Sequence, residues 1–566
     1  MEHIKKRFDR HDIAFVILLF IGLAFICWKA RFGSADRDES FYLTIMYRFW
    51  QGDAIYYDEV NGAQTFAFLI YPIMCLFMAI NKSTEGMVLF FRYVFVLFQL
   101  LVSILIYCRF KEYSKTGSLL ASIVFLIFAP FNEMALYYNT LGMITLVVSL
   151  TLLLTYKNDL DLFVGGVFFA ANVLCHPYGA VTYFVWSIAV FIAFFMKKER
   201  EYLSLRVWAR FTFGIVFLAI VFIVFVFTKI TIKNFIDFLP YTGDESHYLR
   251  PLHIIVSTHF NAVFAFTNYT LYLYICLALV LVAYFIDKNR SKHRPFYYFS
   301  FIGIGILLLF FVFVADQHLN FIMFPLNVVG LACAVISEKK EVKDIALVYS
   351  VPAYIYTFYI HASSNVGGSV ICSSSVVCLV SCLVIICSVY EEVMEEFTSK
   401  KFIRVVMGLE LAFLMIFQIG LEGYLRYVDC FPEPLVLQDT LIDYGPCKGI
   451  IEEGVEKTIY DKTMGLLEYV KNKYPQRKIM FSGFPTWIYV AAEEYDNCST
   501  SSWNVMHLSL FVDLADFYYS SNSQKIPEII VAGYDLVDDP AIEKLAIYNQ
   551  YNMAEEYMGY KIYLHK

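Results

Sequence analysis

Charge is what this sequence has least of. Only 17% of its 566 residues are Asp, Glu, Lys or Arg, where a soluble domain carries about a quarter. That deficit excludes a string of ordinary soluble domains, although the length alone suggests several. Zinc-type cysteine spacing is missing too. Most of the 13 cysteines, among them Cys372, Cys378, Cys382 and Cys387, lie in apolar runs and serve as small hydrophobes. No internal repeat or low-complexity tract is visible. No small-residue cleavage site follows the basic start MEHIKKRFDRHD, so Ile13–Trp28 reads as a membrane helix that stays. The net charge of −7 is too unevenly spread to point to partners, and nothing suggests nucleic acid. What fills the space is apolar: 59% of residues are hydrophobic and 18% aromatic. Residues 87–107 carry one charge, Arg92, and residues 211–228 carry none. Runs of about 18 or more such residues span a bilayer as helices. The expected class is a polytopic membrane protein.

Hydropathy places spans at 13–30, 87–108, 117–131, 139–156, 162–176, 178–196, 211–228, 261–285, 297–315, 318–336, 345–361, 370–390 and 403–424. With the N-terminus inside, the inner loops are 1–12, 109–116, 157–161, 197–210, 286–296, 337–344 and 391–402. They hold 22 Lys and Arg, or 23 with Arg404 at the border, against nine elsewhere in the membrane part. This is the asymmetry that orients membrane proteins with basic loops in the cytoplasm. Residues 66–80 are apolar but only 15 long and contain Pro72; a crossing there would move every later basic loop outside. They are expected to lie along or dip into the outer face. The expected fold is thus an all-α membrane domain, residues 1–424, of about 13 spans. It carries outer loops 31–86, with juxtamembrane helices, and 229–260. Residues 425–566 follow as a small extracytoplasmic α/β domain. Its elements are a helix near 458–474, a strand at Lys478–Ser482, a helix near 504–520, and strands at Glu528–Ala532 and Lys561–His565. This tail shows no Gly-rich phosphate loop. Cys430, Cys447 and Cys498 lie in it, with one disulfide open to them and its pairing unspecified.

The first outer loop is the most informative segment. It runs Asp36-Arg37-Asp38-Glu39-Ser40-Phe41-Tyr42 and on through an amphipathic helix that Gly52 would end. Asp36 and Glu39 have the spacing of a capping box, worth about 1 kcal/mol. Asp38 is not needed for the cap, so it is the carboxylate available for acid-base work.

The single span, the Asp38-Glu39-Ser40-Phe41-Tyr42 motif, the helix after it and the outer-face helix resemble the GT-C glycosyltransferases. Within them the chain is most similar to the bacterial relatives of protein mannosyltransferases and the aminoarabinose transferase. That family's pattern is Asp-Glu-x-x-Tyr, with the Asp as proposed catalytic base, so the resemblance implies Asp38 and Glu39 as catalytic and Tyr42 as substrate-binding. Family members often place an Asp at the start of the fourth span; here the residues are Tyr137, Tyr138 and Asn139, with Glu133 six residues before Asn139. A divalent metal ion is the one cofactor left open, with Glu133 as its candidate anionic ligand.

Moving a sugar off an isoprenoid phosphate needs a base for the acceptor proton and cations near the leaving phosphate. Loop 229–260 offers Lys229, Lys233, His247 and Arg250 around Tyr241-Thr242-Gly243-Asp244-Glu245. Arg250 is the best phosphate partner because a guanidinium forks onto phosphate oxygens; the bland reading is cations snorkelling at a membrane border. Candidate substrate contacts are therefore Tyr42, Glu133, Tyr138, Asn139, His176, Tyr241, Asp244, His247 and Arg250. His176 marks an outer turn, where a residue bonded to a backbone carbonyl is the plainer account. The expected activity is glycosyl transfer from a polyprenyl-phosphate-sugar donor to an unidentified acceptor, in the plasma membrane and among its lipids. The alternative is a transporter or flippase of lipid-linked saccharide, against which stand the lack of repeats and the clustering of polar residues at the outer boundary.

Overall fold

The computed structural model describes residues 9–33, 38–59, 61–130, 133–197, 201–238, 323–363, 368–396, 435–493, 517–532 and 550–566, with isolated positions between 253 and 282. Helices dominate. They are α1 (Arg10–Lys29), α2 (Asp38–Gln51), α3 (Phe66–Asn81), α4 (Met87–Phe110), α5 (Lys115–Ile127), α6 (Tyr138–Leu154), α7 (Asp159–Cys175), α8 (Ala180–Phe195), α9 (Leu205–Phe227) and α10 (Ile232–Phe238). Further on come α11 (Met323–Ile336), α12 (Lys340–Ile345), a π-helical turn at Ala346–Ser350, α13 (Val351–Ser363) and α14 (Gly368–Glu396). Among the described residues, five helices are long and apolar enough to cross a membrane: Arg10–Lys29, Met87–Phe110, Pro177–Phe195, Leu205–Phe227 and Ser374–Glu392. Shorter apolar helices occupy 115–127, 138–154 and 326–336. The expected spans 297–315 and 403–424, and nearly all of 261–285, fall outside the described residues.

Short polar side chains start several helices by accepting the N–H groups that a first turn leaves without partners. Asp9 accepts from His11 and Asp12 at 2.9 and 3.0 Å, and Asp12 accepts from the Asp9 N–H at 3.2 Å, a reciprocal cap on α1. Ser114, Asn158 and Ser204 cap α5, α7 and α9. These starts all lie at one end of the bundle. There Asp9 pairs with Lys115, Asp12 accepts from Tyr107 at 2.8 Å, and Arg109 meets Asp161 at 2.9 Å. Ser114 bonds Glu391 at 3.0 Å, Tyr202 bonds Asp344 at 2.8 Å, and Ser337 bonds Glu392 at 3.1 Å. The contacts join six of the loops expected to be basic and inner.

The helix over 66–81 runs across the opposite end. Thr65, just before it, bonds the Leu174 carbonyl at the close of α7. Near its other end Phe77 packs on Phe90 and Phe91 at the start of α4, with centroids 4.8 and 6.3 Å apart. Both ends of α3 therefore sit at one end of the bundle, and Phe68 and Tyr71 between them rest on Phe225 of α9. Between the two ends, helices cross on small residues, as membrane helices do where lipid is as apolar as their side chains. A Cβ on Gly166 would stand 1.9 Å from the Phe211 carbonyl oxygen, and one on Gly214 2.0 Å from that of Phe163, so α7 and α9 meet backbone to backbone.

The tail contributes β1 (Thr440–Leu441), β2 (Ile451–Glu452), α15 (Gly454–Lys473), β3 (Ile479–Ser482), α16 (Trp487–Ala492), β4 (Ile529–Ala532), β5 (Tyr551–Tyr557) and β6 (Tyr560–His565). The larger sheet has the order β3-β4-β6-β5, with β3 and β4 parallel and the other neighbours antiparallel. The three expected strands are present, as is the first expected helix; β1, β2 and β5 were not anticipated. The helix expected near 504–520 lies almost wholly outside the described residues. Nor is the tail detached. The Ile451 N–H donates to Arg31 at 2.7 Å, the Gly86 N–H to Gly445 at 3.0 Å, and the Val88 N–H to Pro446 at 3.1 Å. Ile479, Phe481, Ile529 and Val531 belong to the same continuous buried cluster as the membrane helices. Cys447 is buried as a thiol; Cys430 and Cys498 lie outside the described residues.

Candidate active site

The candidate site is built on α2, and α2 is enclosed. Every residue from Glu39 to Phe49 is buried, where an amphipathic helix with one wet face was expected. Its polar face is satisfied by the tail: Ser40 Oγ lies 2.8 Å from Thr486 Oγ1, and Thr44 Oγ1 donates to the Thr486 carbonyl at 2.9 Å. Gly52 ends the helix as expected, with φ +120°.

The expected capping partner of Glu39, Asp36, lies outside the described residues, and what the structure shows is a buried ion pair. Both Glu39 oxygens are held by Arg92, Nε to Oε1 at 2.7 Å and Nη2 to Oε2 at 2.6 Å. Arg92 also donates to the carbonyls of Ala30 at 3.0 Å, Phe32 at 2.8 Å and Gly33 at 3.1 Å. A guanidinium has five N–H donors, and all five are engaged. Arg92 thus ties the end of α1 to the start of α2, on either side of residues 34–37.

Asp38, in the first turn of α2, is exposed. One turn on, Tyr42 is buried, stacked on Tyr137 and edge-on to Tyr138, each with centroids 5.2 Å away. Tyr138 meets the His176 ring at 5.3 Å. His176 is fixed through both nitrogens: Nε2 is 3.1 Å from Asn139 Oδ1, and Nδ1 is 2.9 Å from the Tyr356 hydroxyl. Gly142 leaves room for it, since a Cβ there would stand 2.2 Å from His176 Nδ1. Burial, with the charges of Tyr138 and Asp38 behind it, pushes the Tyr42 phenol well above its ordinary range. Burial and then the charges of Glu133 and Asp38 do the same to Tyr137. The structure therefore brings Asp38, Tyr42, Glu133, Tyr138, Asn139 and His176 together from three separate segments. Tyr241, Asp244, His247 and Arg250 lie outside the described residues. Among the described residues no three His, Cys, Asp or Glu side chains gather to hold a metal ion, so no step is assigned to one.

At its other end α2 is anchored by charge. Lys229, weighed above as a phosphate cation, points Nζ at the carbonyls of Asp53, Gly52 and Phe49 at 3.1, 3.4 and 3.5 Å. It caps the C-terminus of α2 from the end of α9, where a cation offsets the helix dipole. Arg48 holds Asp53 Oδ2 through Nε at 2.8 Å and Nη2 at 2.7 Å. Lys525 of the tail lies 2.5 Å from Asp53 Oδ1 and 3.9 Å from Asp58 Oδ1. Relative exposures are 1% for Arg48, 4% for Asp53, 8% for Asp58 and 7% for Lys525, so this is an ion cluster out of water. Burial works to raise the Asp53 carboxyl, but Arg48 and Lys525 outweigh it and hold it below the ordinary range. Burial and the Asp53 charge hold Asp58 above that range.

The sequence reading did not anticipate Arg92 as a partner, Tyr356, or the ion cluster. Arg92 was signalled by being the lone charge of its run; nothing local marks Tyr356 or Lys525. No protein-family model matches the chain, and no curated protein matches it.

Proposed function

We propose that the chain is a membrane glycosyltransferase of the GT-C kind, with about thirteen spans, working at the outer face of the plasma membrane. It takes a sugar from a polyprenyl-phosphate donor and gives it to an acceptor hydroxyl. The acceptor oxygen bonds to the anomeric carbon as the bond from that carbon to the phosphate oxygen breaks. The phosphate leaves with the electron pair, and the acceptor proton passes to the Asp38 carboxylate. Glu39, locked by Arg92, sets the turn that presents Asp38. Tyr42, Tyr138, Asn139 and His176 offer ring faces and held hydrogen-bonding groups beside it. Glu133 adds negative charge, while Tyr241, Asp244, His247 and above all Arg250 meet the donor and its phosphate from loop 229–260. The basic loops gathered at the far end of the bundle face the cytoplasm in this reading, and the tail lies outside.

The observation that carries the reading is the exposed Asp38 close enough for its charge to act on Tyr42 and Tyr137, with Tyr42 leading through Tyr138 to His176, at one end of an apolar bundle. The test is to incubate the protein in detergent with a panel of synthetic polyprenyl-phosphate sugars. Release of polyprenyl phosphate, with transfer or hydrolysis of the sugar, is the expected result. No release from any donor, by protein shown to be folded, overturns the reading.

A further inference from the structure

We infer that Lys525 of the tail is a positioning residue: held between Asp53 and Asp58, it fixes α2 in place, and with it Asp38 at the opposite end of that helix. The inference rests on the glycosyltransferase reading for its catalytic consequence but not for its structural one.

Four charged side chains have been taken out of water where α2 ends. Arg48 and Asp53 come from α2 and the residue run after it, Asp58 from the next turn, and Lys525 from the 3-10 turn Ser523–Lys525 of the tail. Such a cluster is stable only when complete, because removing one partner strands the others in a low-dielectric site. Lys525 is the member that comes from elsewhere in the chain, 472 positions from Asp53. Around it the tail adds neutral bonds to the same loop: Tyr518 donates to the Asp58 carbonyl at 3.1 Å and Asn522 to the Tyr57 carbonyl at 3.1 Å. At the middle of α2 the Thr486 contacts with Ser40 and Thr44 continue the seam. The tail thus grips one whole side of α2, and its charged anchor is Lys525. A helix gripped along its length transmits a shift at Arg48 to Asp38 about 15 Å away, at 1.5 Å per residue.

The test compares Lys525→Met, the charge-restoring double variant Lys525→Met with Asp58→Asn, and the unaltered full-length protein. The first readout is hydrogen exchange of the backbone over residues 39–49, which needs no activity. Lys525→Met is expected to lose at least tenfold in protection there, and the double variant to regain most of it. The second readout is donor hydrolysis per folded molecule. Lys525→Met is expected to lower kcat at least tenfold with KM for the donor little changed, since α2 orders the base and does not hold the lipid. Unchanged protection of 39–49 in Lys525→Met overturns the inference, as does lost protection with unchanged kcat. If protection is lost but even the unaltered protein hydrolyses no donor, the anchor stands and the glycosyltransferase reading falls.

Discussion

Arg92 commits all five guanidinium donors to Glu39 and to the carbonyls of Ala30, Phe32 and Gly33, so removing it strands a buried carboxylate, two buried acceptors and a half-buried one. Arg92→Met should therefore destabilise the fold by about 3–5 kcal/mol, and adding Glu39→Gln should recover a large part. Thermal unfolding in detergent measures both; a double variant no better than the single one shows that the carboxylate is not what suffers. Asp53 and Asp58 sit together yet carry opposite pH signatures. Asp53 is held low, so its stabilisation is complete above the unfolded carboxylate value of about 3.9 and is lost as pH falls through its lower folded value. Asp58 is held high, so its contribution is complete below about 3.9 and is lost as pH rises through its folded value. At neutral pH, Asp53→Asn should lower the melting temperature far more than Asp58→Asn, whose amide can still accept the Ala54 N–H that Asp58 takes at 2.8 Å. Equal losses from the two variants contradict this sign difference. At this scale the sequence was partly legible. The Asp38-to-Tyr42 motif could be read, and so could the oddity of a lone Arg92, but the partners of both depend on contacts between distant segments.

Among the elements, α7 and α9 offer the sharpest case. Glycines 166 and 214 let the two backbones touch, and each would drive a Cβ into a carbonyl oxygen at 1.9 or 2.0 Å. Gly214→Ala should cost about 1–3 kcal/mol by overpacking, seen as a lower melting temperature, whereas Gly465→Ala in α15, where a Cβ meets nothing within 4 Å, should not destabilise. A Gly214→Ala protein as stable as the original contradicts the close crossing. Hydropathy located the long helices because their signal is local and strong. It misjudged α2 because Ser40, Thr44 and Arg48 read as a wet face, when Thr486 of the tail bonds the first two and Asp53, itself paired with Lys525 of the tail, holds the third. That α3 begins and ends at the same end of the bundle followed from its short length and from charge counting. The aromatic contacts with α4 and α9 now give that placement a physical seat.

For the whole molecule, side-chain contacts gather six of the seven loops counted as basic and inner at one end, the seventh, 286–296, lying outside the described residues, while the first long loop, the close of α9 and the tail gather at the other. Single cysteines at Ser83 and Lys115, with other reactive thiols removed, should therefore label from opposite sides of sealed vesicles with an impermeant maleimide. Labelling of both from the same side contradicts the two-ended arrangement. The tail was legible as an α/β unit from its own strand and helix patterns, but not as a partner of α2, because no local pattern records which surface a domain will cover. In the proposed reaction Asp38 takes the acceptor proton. Asp38→Asn keeps the size and most hydrogen bonds of an exposed residue, so folding should shift by less than about 0.5 kcal/mol. Loss of the base should slow transfer by on the order of 10²–10⁴. The decisive measurement is turnover of a polyprenyl-phosphate sugar by Asp38→Asn and unaltered protein at matched folded amounts. A loss of that size is the expected result, and near-native turnover by Asp38→Asn contradicts it.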